Sequence, residues 1–296
     1  MRLDELPRSD RIEDRRGFTA GHAGMGIGTV LVLTLIGWAL GIDPRVLMGG
    51  AQLLSGGSET QQQQVNAGSS GGTGAPSDEM GQFVSAILGS TEVEWGELFS
   101  QVGKTYSPPT LVMFSGATQS GCGSARAAMG PFYCPNDRKV YLDTSFFQDL
   151  QQRFGACDVG SKTCQFSQAY VIAHEIGHHV QNQLGVLPKV QQAQRGMDQA
   201  ESNSLQVRVE LQADCLAGVW ANRSQAKWQF IEPGDVESAL QTASAIGDDR
   251  LQRQAQGYVV PDAFTHGTSA QRTRWFTTGL KSGELDSCDT FRAQQL

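Results

Sequence analysis

The sequence lacks the features that identify a nucleic-acid-binding protein. Its 23 Lys and Arg residues are outnumbered by 30 Asp and Glu residues, which gives a formal net charge of −7. No dense basic face stands out, and we find no internal repeats. We therefore expect no nucleic-acid partner. A chain of 296 residues can hold one large domain or two small ones.

Charged residues are missing from one stretch near the N-terminus, which runs from Gly24 to Ile42 and is rich in Val, Leu and Ile. Its length of about 19 residues is enough for a helix to cross a bilayer. Five arginines precede it, and Arg45 is the only basic residue between it and Lys104. Because the positive-inside rule places the basic flank in the cytoplasm, we predict a single-pass signal anchor. A cleaved signal peptide fits less well, because no clear small-x-small cleavage site follows the run.

The next stretch has little apolar surface to bury. It is dominated by Gly, Ser and Gln, as in the run Gln61–Gln64, and such a composition is typical of a flexible tether. The remaining residues are numerous enough to form a hydrophobic core. The predicted organisation is a cytoplasmic segment at residues 1–23, a transmembrane helix at 24–42, a linker at 43–78 and a folded domain at 79–296.

Cysteine is absent before residue 122, and no Cys-x-x-Cys pair occurs. The missing pair argues against a cysteine zinc site, and an even number of cysteines in an exported domain predicts disulfides. Short spacings favour two local pairs, and elimination leaves a third, although spacing alone does not prove connectivity. The candidate pairs are Cys122 with Cys134, Cys157 with Cys164, and Cys215 with Cys288.

Residues 174–178 read His-Glu-Ile-Gly-His, inside a run without other charged residues. On a helix, His174 and His178 share a face and can bind one metal ion. Glu175 lies one step around the helix, where it can reach a water molecule near the metal without being a ligand. Two imidazoles, a carboxylate base and an open position for water are what a zinc hydrolase needs. The pattern predicts such a site, with a chance occurrence in a core helix as the alternative.

A second pair of polar residues lies in an apolar pattern of helical spacing between Gln199 and Trp220. Glu210 and Asp214 are four residues apart and therefore also share a helix face. We predict that Glu210 is the third zinc ligand and that Asp214 accepts the second ring N–H of a zinc-bound histidine, as carboxylates commonly do. Taken alone, both residues could equally be solvated charges on a helix surface.

Other elements can be predicted around this pair of helices. Residues 110–114 and 139–143 have the apolar and β-branched content of strands. Helices are expected at about 233–247, 248–256 and 268–283.

These two helices also give the chain a resemblance to a known family. The pairing of residues 174–178 with residues 210–214 is similar to the gluzincin arrangement of zinc metallopeptidases. More closely, the chain resembles the bacterial "putative neutral zinc metallopeptidase" family over nearly its whole length apart from the tether. The stretches that carry this resemblance are residues 11–17, 130–135, 173–181, 210–215 and 264–276.

The resemblance implies an α+β, zincin-like metallopeptidase domain that is mostly helical with a small sheet. It also implies a membrane anchor, here in the bacterial inner membrane with the catalytic domain in the periplasm. One Zn²⁺ per chain and a peptide or protein substrate in the cell envelope are expected with it. In a zincin an edge strand holds the substrate, and residues 116–135 are the candidates for that rim, although a structural hairpin would look the same.

The resemblance further implies an oxyanion donor from the C-terminal part, either His266 or Arg272. The alternative for His266 is that it caps the helix that begins near Thr268 or Ser269. The sequence leaves three other functions open. They are a zinc-bearing but inactive scaffold, a tethered structural protein with a fortuitous motif, and a hydrolase of non-peptide amides. The sequence does not define the oligomeric state.

Overall fold

The computed structural model describes residues 1–17, 72–152 and 164–296, and the statements below refer to these residues. Helices dominate, and together with short strands they confirm an α+β domain that is mostly helical. The helices are α1 (Glu79–Gln101), α2 (Phe146–Gln152), α3 (Cys164–Gln183), α4 (Val186–Gln194), α5 (Gln199–Trp228), α6 (Asp235–Ala245), α7 (Asp248–Gln256) and α8 (Ser269–Ser282).

Five of the described strands form one mixed sheet. They are β1 (Ile12–Asp14), β2 (Gly72–Thr73), β3 (Thr110–Phe114), β6 (Phe132–Cys134) and β7 (Lys139–Asp143). Their order is β2-β1-β3-β7-β6. Strands β1, β3 and β7 are parallel, whereas β2 and β6 run antiparallel to their neighbours. A separate hairpin consists of β4 (Ala117–Ser120) and β5 (Gly123–Arg126).

The elements that were predicted from local patterns are present. The strands at 110–114 and 139–143 have the predicted bounds, and α6, α7 and α8 match their predicted ranges to within two residues at each end. The helix predicted between Gln199 and Trp220 is longer, because α5 continues to Trp228. Its start is fixed by a capping box in which the Asp198 carboxylate accepts the Glu201 backbone N–H, a common way to begin a helix.

The N-terminal segment belongs to the same folded unit as the rest of the described chain. Strand β1 pairs in parallel with β3, with Glu13 opposite Val112. Nearby, Arg16 binds the carboxylates of Asp14 and Asp78. A single membrane crossing between residues 14 and 110 would place β1 and β3 on opposite sides of a bilayer, where they could not pair. Strand β1 and strand β3 therefore lie on the same side of any membrane.

This pairing corrects the predicted localisation. The prediction of a single-pass inner-membrane protein with a cytoplasmic N-terminus and a periplasmic catalytic domain is wrong, because the sheet joins the two parts. Within the described residues, no helix has both the length and the apolar character needed to cross a membrane. The predicted span at 24–42 and most of the linker at 43–78 lie outside the described residues.

Two disulfides join cysteines that both lie within the described residues, as predicted. Cys122–Cys134 ties the end of the β4–β5 turn to strand β6, and Cys215–Cys288 ties helix α5 to the C-terminal segment. The predicted partner of Cys164, Cys157, lies outside the described residues, so that pairing stays a prediction.

Helix α3 lies in the middle of the core. Every residue from Ala169 to Gly177 is buried, and the helix packs on α1, α5 and α6. Glu175 is its only Asp, Glu, Lys or Arg residue. Since buried charges are costly unless they are paired or functional, this composition is what allows the helix to be enclosed.

Helices α5 and α8 touch through their backbones at two glycines, Gly218 and Gly279. A β-carbon at position 279 would lie 2.8 Å from the backbone nitrogen of Val219 and inside contact distance of the Cys215 carbonyl oxygen. This close contact lets α8 present Arg272 to α5, as described below.

We expect Gly279→Ala to lower the free energy of unfolding by about 1–3 kcal/mol through overpacking. The matched control is Gly96→Ala in the interior of α1, where a β-carbon would have no neighbour within 4 Å. That change should stabilise the protein by about 0.5–1 kcal/mol, because alanine is the better helix former. Urea unfolding followed by circular dichroism measures both values. A Gly279→Ala protein as stable as the wild type would contradict the packing described here.

Candidate metal centre

Helices α3 and α5 bring three metal-ligand side chains together. The Nε2 atom of His174 lies 3.2 Å from Oε2 of Glu210, and Nε2 of His178 lies 3.4 Å from the same oxygen. The candidate ligand atoms of the three residues all lie within 4.8 Å of one another. Gly177 permits this approach, because a β-carbon there would be 3.1 Å from the Ala213 carbonyl oxygen on α5.

The geometry of this cluster fits zinc. Tetrahedral ligands at about 2.0–2.1 Å from a zinc ion lie about 3.3 Å from one another. The two nitrogen–oxygen distances, 3.2 and 3.4 Å, bracket that value. Two imidazoles with one carboxylate also form a donor set that catalytic zinc sites use. The ligand atoms of all three residues lie within 4.8 Å of one another, so small side-chain rotations would bring them onto one ion.

Asp214 is completely buried behind His174. Its Oδ1 atom lies 2.9 Å from Nδ1 of His174 and accepts a hydrogen bond from the Tyr170 hydroxyl at 2.5 Å. Arg272 donates to both carboxylate oxygens at 2.9 Å. A carboxylate on Nδ1 leaves the Nε2 lone pair of the ring available to a metal. This is the geometry that the predicted orienting role of Asp214 requires.

Two glutamines orient the other ligands. The Nδ1 atom of His178 lies 2.8 Å from Oε1 of Gln181, whose amide nitrogen donates to the Val209 carbonyl. Gln206 donates to Oε1 of Glu210 at 2.9 Å, which leaves Oε2 directed at the histidines. Each ligand therefore has a neighbour that fixes its orientation, as is usual around protein metal sites.

The charges within this cluster stabilise one another. Burial alone would lower the pKa of His174, but the charge and hydrogen bond of Asp214, with the hydrogen bond of Glu210, raise it to about 10. Burial likewise opposes protonation of His178, and the charge of Glu210 raises its pKa. Against its own burial, Glu210 has a pKa held well below the usual range by the two histidines. A metal ion would take the place of these ring protons.

Glu175 is buried with 7% of its surface exposed and lines the same cleft as the three ligand residues. It follows His174 directly on α3, so it lies beside the metal cluster rather than within it. A carboxylate in this position can exchange a proton with a molecule that enters the cleft.

His266 lies at the edge of the cleft, with half of its side chain exposed. Its Nδ1 atom is 3.2 Å from Oδ1 of Asp248, and Oδ2 of Asp248 accepts the backbone N–H groups of residues 265–267. Burial opposes protonation of the ring, but the hydrogen bond of Asp248 raises its pKa. Helix α8 is capped by Thr268 with Gln271, so the alternative that His266 caps this helix is wrong.

Arg272 occupies a different position from His266. It is 3% exposed, and its guanidinium is held by Asp214 and donates to the Tyr170 hydroxyl at 3.1 Å. These contacts direct its N–H groups toward Asp214, the carboxylate that lies against His174.

A cleft with a volume of about 650 Å³ contains the metal cluster, Glu175 and His266. Within the predicted rim segment 116–135, residues 127–133 and Pro135 line the cleft, whereas β4 and β5 form the hairpin that was the alternative. Strand β6 is an edge strand among the described residues. Its residue Tyr133 lines the cleft and is bound by Asn182 and His179 of α3.

Several residues of the site were not predicted from the sequence. Tyr170, Gln181 and Gln206 lie four, three and four residues from a ligand on the same helix, and this spacing could have identified them. Asp248 is on α7, 18 residues before His266, which lies in the loop that precedes α8. No local pattern therefore pointed to it.

Comparison with known proteins identifies a family and relatives of this chain. Residues 1–291 match the sequence profile of the family described as "Putative neutral zinc metallopeptidase". The chain is 46% identical to "Uncharacterized protein YpfJ" of Escherichia coli (strain K12) over 301 residues, which cover 98% of this chain and 99% of that protein. It is 44% identical to "Uncharacterized protein Mb2605" of Mycobacterium bovis over 234 residues, or 76% of this chain and 75% of that protein. No solved structure matches significantly.

Proposed function

This chain belongs to the "putative neutral zinc metallopeptidase" family, and we propose that it is a zinc-dependent endopeptidase with a gluzincin-type zincin fold. The observation that carries the proposal is the convergence of His174, His178 and Glu210 beside Glu175 in one cleft. A zinc-bearing scaffold would need the three ligands, but it would have no use for the carboxylate of Glu175.

The proposed reaction is hydrolysis of a peptide bond. Zinc, when bound by His174, His178 and Glu210, would lower the pKa of water toward neutrality and polarise the scissile carbonyl. Glu175 removes a proton from the attacking water as the water oxygen adds to the carbonyl carbon. It then passes that proton to the leaving nitrogen as the carbon–nitrogen bond breaks. The products are a carboxylic acid and an amine.

The edge strand β6 supports a peptide as the substrate. An extended peptide can add to a free strand edge through main-chain hydrogen bonds. Among the described residues that line the cleft, the charged side chains all belong to the catalytic cluster or its support. An exopeptidase needs a charged group to bind the terminal amine or carboxylate of its substrate, and this lining therefore favours an endopeptidase.

We propose His266 as the donor that stabilises the oxyanion. Asp248 contacts Nδ1 of His266, and His266 lines the cleft. In contrast, the guanidinium of Arg272 donates hydrogen bonds to Asp214 and Tyr170. Oxyanion donors typically contribute about 10²–10³-fold to kcat. We expect His266→Gln to lower kcat by about that factor without loss of zinc.

Arg253→Gln on the exposed face of α7 is the control for this change, because it alters a charge outside the cleft lining. Its kcat should equal that of the wild type. A His266→Gln enzyme with unchanged kcat would eliminate His266 as the oxyanion donor.

Metal removal tests the proposed function directly. Dialysis of the full chain against a zinc chelator should abolish peptide hydrolysis, and one equivalent of zinc should restore it. The pKa values of His174 and His178 are both raised, so protons compete with zinc for the ring nitrogens. The Kd for zinc, measured against a metal indicator calibrated at each pH, should therefore be larger at pH 6 than at pH 8. Hydrolysis that survives complete removal of bound metal would refute a zinc peptidase.

A further inference from the structure

Helix α4 forms part of the cleft wall. Leu187, Val190, Gln191 and Gln194 line the cleft, and their spacing of three, four and seven residues from the first puts them on one helix face. The charged residue of this helix, Lys189, is exposed and does not contribute to the lining. The face that α4 presents to a substrate is therefore half aliphatic and half neutral amide.

The segment before β6 supplies another uncharged surface. Residues 127–133 of the lining are Ala, Ala, Met, Gly, Pro, Phe and Tyr. Met129 lines the cleft and is 59% exposed, so its apolar side chain is accessible to a molecule that enters. The last two residues of this segment belong to β6, so a peptide paired with the edge of β6 would lie next to it.

The rest of the described cleft lining is likewise uncharged outside the metal site and its supporting residues. Apart from the three ligands, Glu175, His266 and Arg272, every described residue around the cleft is aliphatic, aromatic, glycine, proline or glutamine. A charged substrate side chain against the α4 face or residues 127–133 would lose hydration and meet no opposite charge among the described residues of those surfaces, and such burial is unfavourable. An apolar side chain would gain from leaving water.

We infer that this cleft selects peptide segments whose side chains next to the scissile bond are uncharged and apolar. The inference rests on the proposed peptidase function and adds the substrate class to it. The selection arises from the α4 face and residues 127–133, and it excludes acidic and basic side chains equally.

A matched peptide series tests this selection. Fluorescence-quenched peptides would share alanine-rich flanks and a central Phe-Xaa pair, where Xaa is Leu, Gln, Glu or Lys. With the zinc-loaded full chain, kcat/KM for the Leu peptide should exceed that for the Glu and Lys peptides by at least about tenfold, with Gln between them. Cleavage of the Glu or Lys peptide as fast as the Leu peptide would overturn the inference.

A designed charge tests whether α4 is responsible. Gln191→Lys adds a cation on the cleft face of α4, and it should raise the Glu-to-Lys ratio of kcat/KM by about fivefold or more. Gln192→Lys adds the same charge at the next position, which is exposed and outside the lining, and it should leave the ratio unchanged. An equal change of the Glu-to-Lys ratio in both variants would mean that the added charge acts at long range. That result would contradict the proposal that the α4 face contacts the substrate side chain.

Peptide binding separates failure of this inference from failure of the peptidase function. The zinc-loaded Glu175→Gln protein should bind the Leu peptide more tightly than the Glu and Lys peptides by at least about tenfold in Kd, as measured by fluorescence anisotropy. Tight binding of the Leu peptide without cleavage by the wild type would refute the peptidase and retain the apolar selection. Equal binding of all four peptides would refute the selection itself.

Discussion

Glu175→Gln should retain one zinc ion per chain and lose peptide hydrolysis by about 10³-fold or more, since general acid–base groups typically contribute about 10²–10⁴-fold. The amide has almost the same shape as the carboxylate, so the buried packing of α3 should be preserved. It cannot accept a proton from water, and among the described residues that line the cleft the only other Asp or Glu is the ligand Glu210.

The control for this prediction is Glu237→Gln on α6. It makes the same chemical change at an exposed residue outside the cleft, and both zinc content and kcat should remain those of the wild type. Zinc content is measured by mass spectrometry of the metal, and hydrolysis with the quenched Leu peptide. Full activity in Glu175→Gln would show that another group activates the water.

Asp214→Asn should weaken zinc binding by about 10–100-fold, the usual cost of losing a carboxylate that orients a metal-bound histidine. The structure adds a second effect. Arg272 is buried and donates to both oxygens of Asp214, so the variant leaves a buried cation without its charged partner. Such a loss typically lowers the free energy of unfolding by about 3–5 kcal/mol. Denaturation of the metal-free protein measures this effect separately from zinc affinity.

The double variant Asp214→Asn with Arg272→Met distinguishes the two effects. Because it removes both members of the buried ion pair, it should recover much of the lost stability. Zinc affinity should stay low, since His174 still lacks its carboxylate partner. A single Asp214→Asn variant with unchanged zinc affinity would contradict the orienting role of Asp214.

The parts of the site that could be predicted from the sequence are those defined within single helices. His174 and His178, like Glu210 and Asp214, are four residues apart, so the helical repeat alone puts each pair on one face. Which helices meet is a tertiary property; their pairing was predicted because Glu210 and Asp214 supply the carboxylates that a two-histidine zinc site needs, and the family resemblance agreed with it. The link between Asp248 and His266 depends on how α7 and the loop before α8 pack, and no local pattern encodes it.

The N-terminal segment illustrates a second limit. Strand β1 has three residues, two of them charged, and its partner β3 lies about 100 residues later. It therefore gives no periodic signal of its own, and the five arginines around it fit a charged flank equally well. In the structure three of these arginines form ion pairs, namely Arg11 with Glu92, Arg15 with Glu13, and Arg16 with Asp14 and Asp78. A positive flank and a short strand with salt-bridged neighbours can thus have the same composition.

This result affects how the protein should be prepared. A fragment that starts at residue 79, the predicted domain boundary, would lack β1 and β2 and leave β3 with an unpaired edge. Experiments on the metal centre should therefore use the full chain.

The most direct test of the metal centre is a crystal structure of the zinc-loaded full chain, with anomalous diffraction recorded on both sides of the zinc absorption edge. We predict one zinc peak bound by Nε2 of His174, Nε2 of His178 and a carboxylate oxygen of Glu210, each at about 2.0–2.2 Å. Asp214 should remain on Nδ1 of His174 without touching the ion. A zinc ion bound elsewhere, or no zinc at this cluster in protein that contains one equivalent, would contradict the account.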